Sequence, residues 1–234
     1  MTSADGQAAR LRQRGYALLP GLLPSGLLDE VAQALDDRLG SSAGSRNLLA
    51  QPQCIAIAEL LQTKLAALAL LDASSVAVQC TLFDKTPARN WLVALHQDTS
   101  IPASGDGMPA VVKEGEPYLQ PPDEVLQSLL AVRVHLDDCG DDAGPLRVVP
   151  GSHRAGRLGE AAAQALRAEH GEAVCTAARG DALLMRPLLL HASSRARSPQ
   201  RRRVLHFLFG PARLPHGLVW NRTMAGMQPA HQEN

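Results

Sequence analysis

Val76-Ala77-Val78-Gln79-Cys80-Thr81-Leu82-Phe83 marks the point where the chain changes character. The run is short and apolar, and turn residues Lys85-Thr86-Pro87 follow it closely, the pattern of a strand rather than a helix. Similar runs recur at Trp91–His96, Leu130–Leu136, Leu146–Val149, Ala182–Met185, Leu188–His191 and Val204–Phe209. Asp137-Asp138-Cys139-Gly140, Pro150-Gly151-Ser152, Gly180-Asp181 and Ser198-Pro199 supply turn chemistry between them. Many short strands at this spacing point to a barrel or double-sheet jelly roll, mainly β with flanking helices, and not to a βαβ sheet.

Upstream, Gly15–Leu19 reads as a strand ended by Pro20. Pro24-Ser25 opens a helix with Ser25 as N-cap; Leu28, Val31, Leu35 and Leu39 follow at helical spacing and Gly40 stops it. Ile55–Leu71 is a second, mostly apolar helix. The expected organisation is one domain over residues 1–234, a helical support at about 24–72 beside a jelly-roll core at about 76–210, because no repeat or long linker divides the chain. Leu158–His170 is Ala-rich and helical, placed to cover one mouth of the barrel. Residues 99–122, with Gly105, Gly107, Gly115, Pro117, Pro121 and Pro122, read as a long irregular loop that contributes to a substrate pocket.

Lys+Arg and Asp+Glu balance at 23 each, which removes the electrostatic argument for nucleic acid or an acidic membrane surface. The arginines clustered at 195–203 suit a small anionic molecule better than a polymer. Cys54, Cys80, Cys139 and Cys175 lie far apart with no CxxC pair, against a structural zinc site and in keeping with a reducing compartment. The polar start Met1–Gly6 and the short first apolar run, broken by Pro20-Gly21, resemble neither a signal peptide nor a membrane span, so a cytoplasmic location is expected. The sequence carries no signal of oligomeric state.

His96-Gln97-Asp98 carries the chemistry. Residues i and i+2 of a strand project to one face, so His96 and Asp98 can share a cation. A further imidazole, His191, completes two His and one carboxylate, the usual ligand set of non-haem Fe(II) oxygenases, with positions left open. Such a site needs a cationic fork for the far carboxylate of a 2-oxo acid, and arginine provides two parallel hydrogen bonds. Strand parity puts Arg202, Val204 and His206 on one face and Arg201, Arg203 and Leu205 on the other.

Read together, Gly15–Leu23, His96-Gln97-Asp98, Gly144-Pro145-Leu146-Arg147-Val148-Val149-Pro150-Gly151-Ser152-His153-Arg154, Gly180–Leu184 and His191-Ala192-Ser193 with the downstream arginines resemble the phytanoyl-CoA dioxygenase family. The resemblance implies a cupin-like double-stranded β-helix. It also implies Fe(II) held by His96, Asp98 and His191, 2-oxoglutarate as cosubstrate and O2 as oxidant. Arg202 would meet the 2-oxoglutarate C5 carboxylate, with Ser193 assisting. Hydroxylation of an unactivated C–H bond, with release of succinate and CO2, is the implied default, although desaturation or cyclisation starts from the same chemistry. The family often has Asn five residues after the distal histidine, where this chain has Ala196, so the choice among Arg201, Arg202 and Arg203 stays open.

Each residue also has a plainer reading. His96 and Asp98 would then be a surface pair and His191 a satisfied core histidine. Arg133 and His135 face together on their strand, either as a second polar layer touching cosubstrate or as a buried pair satisfied by Asp137 or Asp138. Gln79, Lys85 and His206 are further pocket candidates; His153 reads as structural, and Trp91 and Trp220 as packing residues. A non-catalytic metal-binding sensor or binding protein would need no arginine anchor. A zinc hydrolase would want a nearby Glu base, and a halogenase a small residue in place of Asp98. The expected substrate is a free small molecule, since no extra platform for coenzyme A is evident.

Overall fold

The structure, a computed structural model, describes residues 4–39 and 44–223. The elements are α1 (Ala4–Arg14), β1 (Tyr16–Leu19), α2 (Ser25–Leu39), β2 (Gly44–Ser45), α3 (Pro52–Ala67), β3 (Ser75–Lys85), β4 (Val93–His96), β5 (Ala103–Ser104), β6 (Ala110–Lys113) and β7 (Glu116–Leu119). They continue with α4 (Asp123–Ser128), β8 (Leu130–His135), β9 (Leu146–Val148), α5 (Glu160–His170), β10 (Ala173–Cys175), β11 (Ala182–Met185), β12 (His191–Ser193), β13 (Arg202–Pro211) and β14 (Val219–Trp220).

Two antiparallel sheets face each other, one of six strands in the order β1-β11-β8-β13-β3-β2 and one of four in the order β10-β9-β12-β4. The chain swaps sheets between β3 and β4, β8 and β9, β10 and β11, β11 and β12, and β12 and β13. That alternation is the jelly roll expected from the strand spacing.

Period-two alternation gives the large sheet two different faces. On one, Val132 and Val134 of β8, Leu205, Phe207 and Phe209 of β13 and Leu184 of β11 pack against the helices. α3 presents Cys54, Ile57, Ala58, Leu61 and Leu65, all fully buried and spaced to form one stripe, and α2 adds Leu28, Val31 and Leu35. Each such Leu or Ile contributes about 1.5–3 kcal/mol by leaving water. The other face looks into the barrel, where Ala131, Leu183, Met185 and Leu208 meet Leu146 and Val148 of the small sheet.

Several boundaries differ from the sequence reading. Pro24, not Ser25, occupies the flank of α2, because its carbonyl accepts the first helical bond from the Leu28 N–H at 3.3 Å; Gly40 lies outside the described residues. α3 ends at Ala67, about a turn early, and Ala69 turns the chain at φ 53°. Leu188–Leu190 is not a strand: Pro187 is the second residue of a turn closed by Leu189 N–H to Arg186 O, and His191 begins β12 instead of ending a strand. Residues 99–122 are not irregular. They contain β5 and the β6–β7 hairpin, whose turn residues Glu114 (φ 50°) and Gly115 (φ 82°) both adopt the positive φ that a tight two-residue hairpin demands.

Candidate metal centre

β4 and β12 lie side by side with His191 directly opposite His96. Asp98, just past β4, donates its N–H to Pro187 O at 2.9 Å, which ties it to the turn before His191. Gln97 points the other way. Its Nε2 donates to Gly156 O (2.8 Å) and Leu188 O (2.7 Å), and its Oε1 accepts from the Leu158 N–H (2.9 Å). The middle residue of the triplet therefore clamps the backbone while its neighbours face the barrel. The Pro150-Gly151-Ser152 turn supports the other side: Ser152 Oγ donates to Val149 O (2.7 Å) and accepts the Leu190 N–H (2.8 Å), next to His191.

The donor atoms of His96, Asp98 and His191 all lie within 4.8 Å of one another. His96 Nε2 is 3.7 Å from Asp98 Oδ1, and His191 Nε2 is 3.7 Å from Asp98 Oδ2. These gaps exceed a hydrogen bond and approach the spacing of donors that each sit about 2.1 Å from one divalent ion. Both rings turn Nδ1 to a backbone carbonyl at 2.8 Å, Ala94 O for His96 and Leu189 O for His191. A carbonyl only accepts, so Nδ1 carries the proton and Nε2 keeps its lone pair toward Asp98, the outer-shell arrangement of metal-bound histidines. Burial holds the His191 pKa down to about 4, against the pull of Asp98, so the imidazole is neutral near pH 7. Burial pushes the Asp98 carboxyl up, but His191, His206, His96 and Arg133 outweigh it and leave its pKa lowered. The carboxylate still touches the cavity, with 38% of the side chain exposed.

The three donors open into a cavity of about 240 Å³ that Gln79, Phe83, Lys85, Trp91, Arg133, Ser193, Arg202 and His206 also border. Alternation along β3 puts Gln79, Thr81, Phe83 and Lys85 inside, and alternation along β13 does the same for Arg202, His206 and Leu208. The three consecutive arginines separate cleanly. Arg201 pairs with Asp84 and Asp36, Arg203 with Asp137 and Asp36, and both sit off the cavity. Arg202 is 3% exposed, donates Nη1 to Gly144 O at 2.6 Å, and has an Nε with no hydrogen-bond partner among the described residues.

Around Arg202 the polar layer is cationic. Lys85 donates Nζ to Ser193 Oγ (3.1 Å) and Ser194 O (2.7 Å). Burial, then Arg202 and Arg133, lower its pKa to about 8. Arg133, lowered to about 10 by burial and Arg202, lies 3.2 Å from His206 Nδ1 and over the Phe83 ring. No carboxylate pairs with Lys85, Arg133 or Arg202 among the described residues. Such a cluster is costly when empty and complements an anion. His135 faces the same way as Arg133 but does not border the cavity; it is 3% exposed and its Nδ1 has no hydrogen-bond partner among the described residues.

His153 is structural: its ring reaches Arg12 O at 3.1 Å and fills the space a side chain at Gly15 (φ 80°) would need. Trp220 packs, but Trp91 borders the cavity beneath Lys85. Ser100, Ile101, Lys113 and Tyr118 bring the 99–122 segment to the cavity wall, and Arg46 arrives from beside β2. Nothing local in the sequence marks Arg46 or Lys113, since Arg46 reaches the site through the pairing of β2 with β3 and Lys113 through the ties between Glu114 and residues 45–47. Among the described residues Asp98 is the only carboxylate on the lining, and no Glu stands there as the base of a hydrolase.

Comparisons with known proteins agree with the fold. No curated protein matches the sequence. Among solved structures, EctD from S. alaskensis in its apoform shares 21% identity over 90% of this chain and 79% of its own, with a TM-score of 0.67. The non-heme alpha ketoglutarate dependent carbocyclase SnoK from nogalamycin biosynthesis shares 14% identity (90% and 87% covered, TM-score 0.67). HygX from Streptomyces hygroscopicus, solved with nickel and 2-oxoglutarate bound, shares 18% (88% and 85% covered, TM-score 0.62). The sequence profile of phytanoyl-CoA dioxygenase (PhyH) matches residues 11–204, and the chain therefore belongs to the phytanoyl-CoA dioxygenase family.

Proposed function

We propose that the protein is an Fe(II)- and 2-oxoglutarate-dependent dioxygenase that hydroxylates an unactivated C–H bond of a small-molecule metabolite, with release of succinate and CO2. The observation that carries this reading is the pairing of two sites in one cavity: a His96–Asp98–His191 face with free Nε2 lone pairs on the small sheet, and a buried, carboxylate-free Arg202 on β13 of the large sheet. A metal-binding sensor has no use for the second.

In this reading His96, Asp98 and His191 hold Fe(II), which when bound supplies the O2 chemistry that amino-acid side chains lack. The chain's own residues do the rest. Ala94 O and Leu189 O fix both imidazole tautomers, and Asp98 offsets part of the ion's charge. Arg202 receives the C5 carboxylate of 2-oxoglutarate through its unused guanidinium edge. Ser193 Oγ, held by Lys85, sits beside that carboxylate, and Arg133 adds positive potential, while His135 stays buried off the cavity. Phe83, Trp91, Ile101, Leu146 and Leu208 line the remainder and limit water around the reacting atoms.

No described helix is long and apolar enough to cross a membrane. The four cysteines are free and buried, which suits the reducing cytoplasm in which we place the protein. Succinate formation from 2-oxoglutarate tests the reading: we expect it with Fe(II) and not with Zn(II). Equal rates with the two metals, or none with Fe(II), overturn it.

A further inference from the structure

The cavity carries more positive charge than its assigned occupants neutralise. Among the described residues five cationic side chains border it, Arg46, Lys85, Lys113, Arg133 and Arg202, against the single carboxylate of Asp98. A ferrous ion and a 2-oxoglutarate dianion cancel each other, so loading both leaves that excess in place.

The five cations form two groups. Lys85, Arg133 and Arg202 are buried on the large sheet, near Ser193. Arg46 and Lys113 form a more exposed group, Arg46 just past the edge strand β2 and Lys113 on the β6–β7 hairpin. Arg46 is already matched, since its Nη1 lies 3.0 Å from Glu114 Oε1, and Glu114 does not border the cavity. Lys113 has no such partner. It is half-buried, its Nζ lies 4.8 Å over the Tyr118 ring, and no described carboxylate comes within ion-pair distance of it.

The position of Lys113 is also fixed in advance. Glu114 Oε2 accepts the Arg46 N–H at 2.7 Å and the Ser45 hydroxyl at 3.4 Å, and Asn47 Nδ2 donates to Glu114 O at 3.3 Å. These contacts pin the hairpin tip to the segment after β2, so Lys113 is held at the cavity wall and does not wave in solvent. Burial, then Arg46, depress its pKa and Asp98 raises it, as expected for an ammonium that senses the metal-site carboxylate across the cavity.

We propose that Lys113, with Arg46 beside it, receives the acidic group of the primary substrate, a compact oxyanionic metabolite bearing a carboxylate or phosphate. The inference rests on the dioxygenase reading above. Compactness follows from volume: about 240 Å³ must hold cosubstrate and substrate together, below the range of roughly 300–1,000 Å³ typical of ligand pockets. Phe83, Trp91 and Ile101 give the cavity apolar lining for the carbon skeleton.

The test uses the full chain, loaded anaerobically with Mn(II) and 2-oxoglutarate. Compact carboxylic acids and phosphate monoesters are titrated by calorimetry, each beside its neutral amide or alcohol counterpart. We expect acids to bind and their neutral counterparts to bind at least about tenfold more weakly, the scale of one charge-assisted contact. Lys113→Met should remove most of that preference while its affinity for Mn(II) and 2-oxoglutarate holds. Lys113→Glu should reverse it toward amines. The proposal is overturned if neutral members bind as tightly as acids, if no acid binds, or if Lys113→Met keeps the preference. Failure of the parent protein to bind Mn(II) and 2-oxoglutarate at all would instead defeat the dioxygenase reading on which the inference rests.

Discussion

Replacing Arg202 with Met removes a buried guanidinium while keeping a stem of similar length. In the parent, one Nη1 bond goes to Gly144 O, and the Nε edge has no partner among the described residues. If that edge holds the C5 carboxylate of 2-oxoglutarate, the variant loses charge-assisted bonds worth about 1.5–3 kcal/mol each. Lys85 and Arg133 still attract the carboxylate, so the net loss is about 2–4 kcal/mol, roughly 30- to 700-fold in Kd. The stability change should be small, because the Gly144 carbonyl loses a donor while repulsion among three buried cations eases. Anaerobic calorimetry with Mn(II) reads the affinity and thermal unfolding reads the stability. Arg201→Met is the control: it breaks a two-point contact with Asp84, whose side chain is 1% exposed, yet Arg201 lies off the cavity. It should lower stability by about 1–3 kcal/mol, with Arg89 still pairing Asp84, and leave 2-oxoglutarate binding alone. A Kd for Arg202→Met within about threefold of the parent, or an equal loss in Arg201→Met, refutes the anchor assignment.

Two further substitutions probe the surroundings. Burial, then Arg133, lower the His135 pKa to about 3, below the unfolded value of about 6.5. The unfolded chain therefore takes up the proton first, and this contribution to stability is whole above about pH 6.5 and lost as pH falls toward 3. Urea titrations should show a shallower acid-side decline for His135→Leu than for the parent; parallel curves contradict the burial argument. Gly144 sits at φ 65°, and a Cβ there would lie 2.5 Å from Ser194 O. Gly144→Ala should cost more than about 1 kcal/mol in denaturant unfolding and weaken 2-oxoglutarate binding by shifting the carbonyl on which Arg202 rests; unchanged stability contradicts it.

What could be read from the sequence was whatever depends on short-range periodicity. The side-by-side orientation of His96 and Asp98, the inward turn of Arg202 between two outward arginines, and the buried stripe of α3 all follow from spacing alone. Leu188–Leu190 misled because an apolar run reads alike as strand or turn, and only the pairing of His191 with His96 decides where β12 begins. The hairpin at 110–119 was hidden by Pro117 and by Glu114, a poor residue for a positive φ. α1 went unread because its only deeply buried large apolar residue is Leu11, too few for a helical pattern. Arg46 and Lys113 were invisible for another reason: their relation to the cavity is made by long-range pairing, which no local window contains.

Succinate release by Asp98→Ala, assayed with Fe(II), 2-oxoglutarate and O2 beside the parent protein, tests most directly whether three side chains hold one ferrous ion. We expect turnover to collapse while the unfolding transition stays within a few degrees of the parent, since Asp98 touches the cavity and supports no core packing. Parent-like 2-oxoglutarate consumption by that variant would contradict the metal centre.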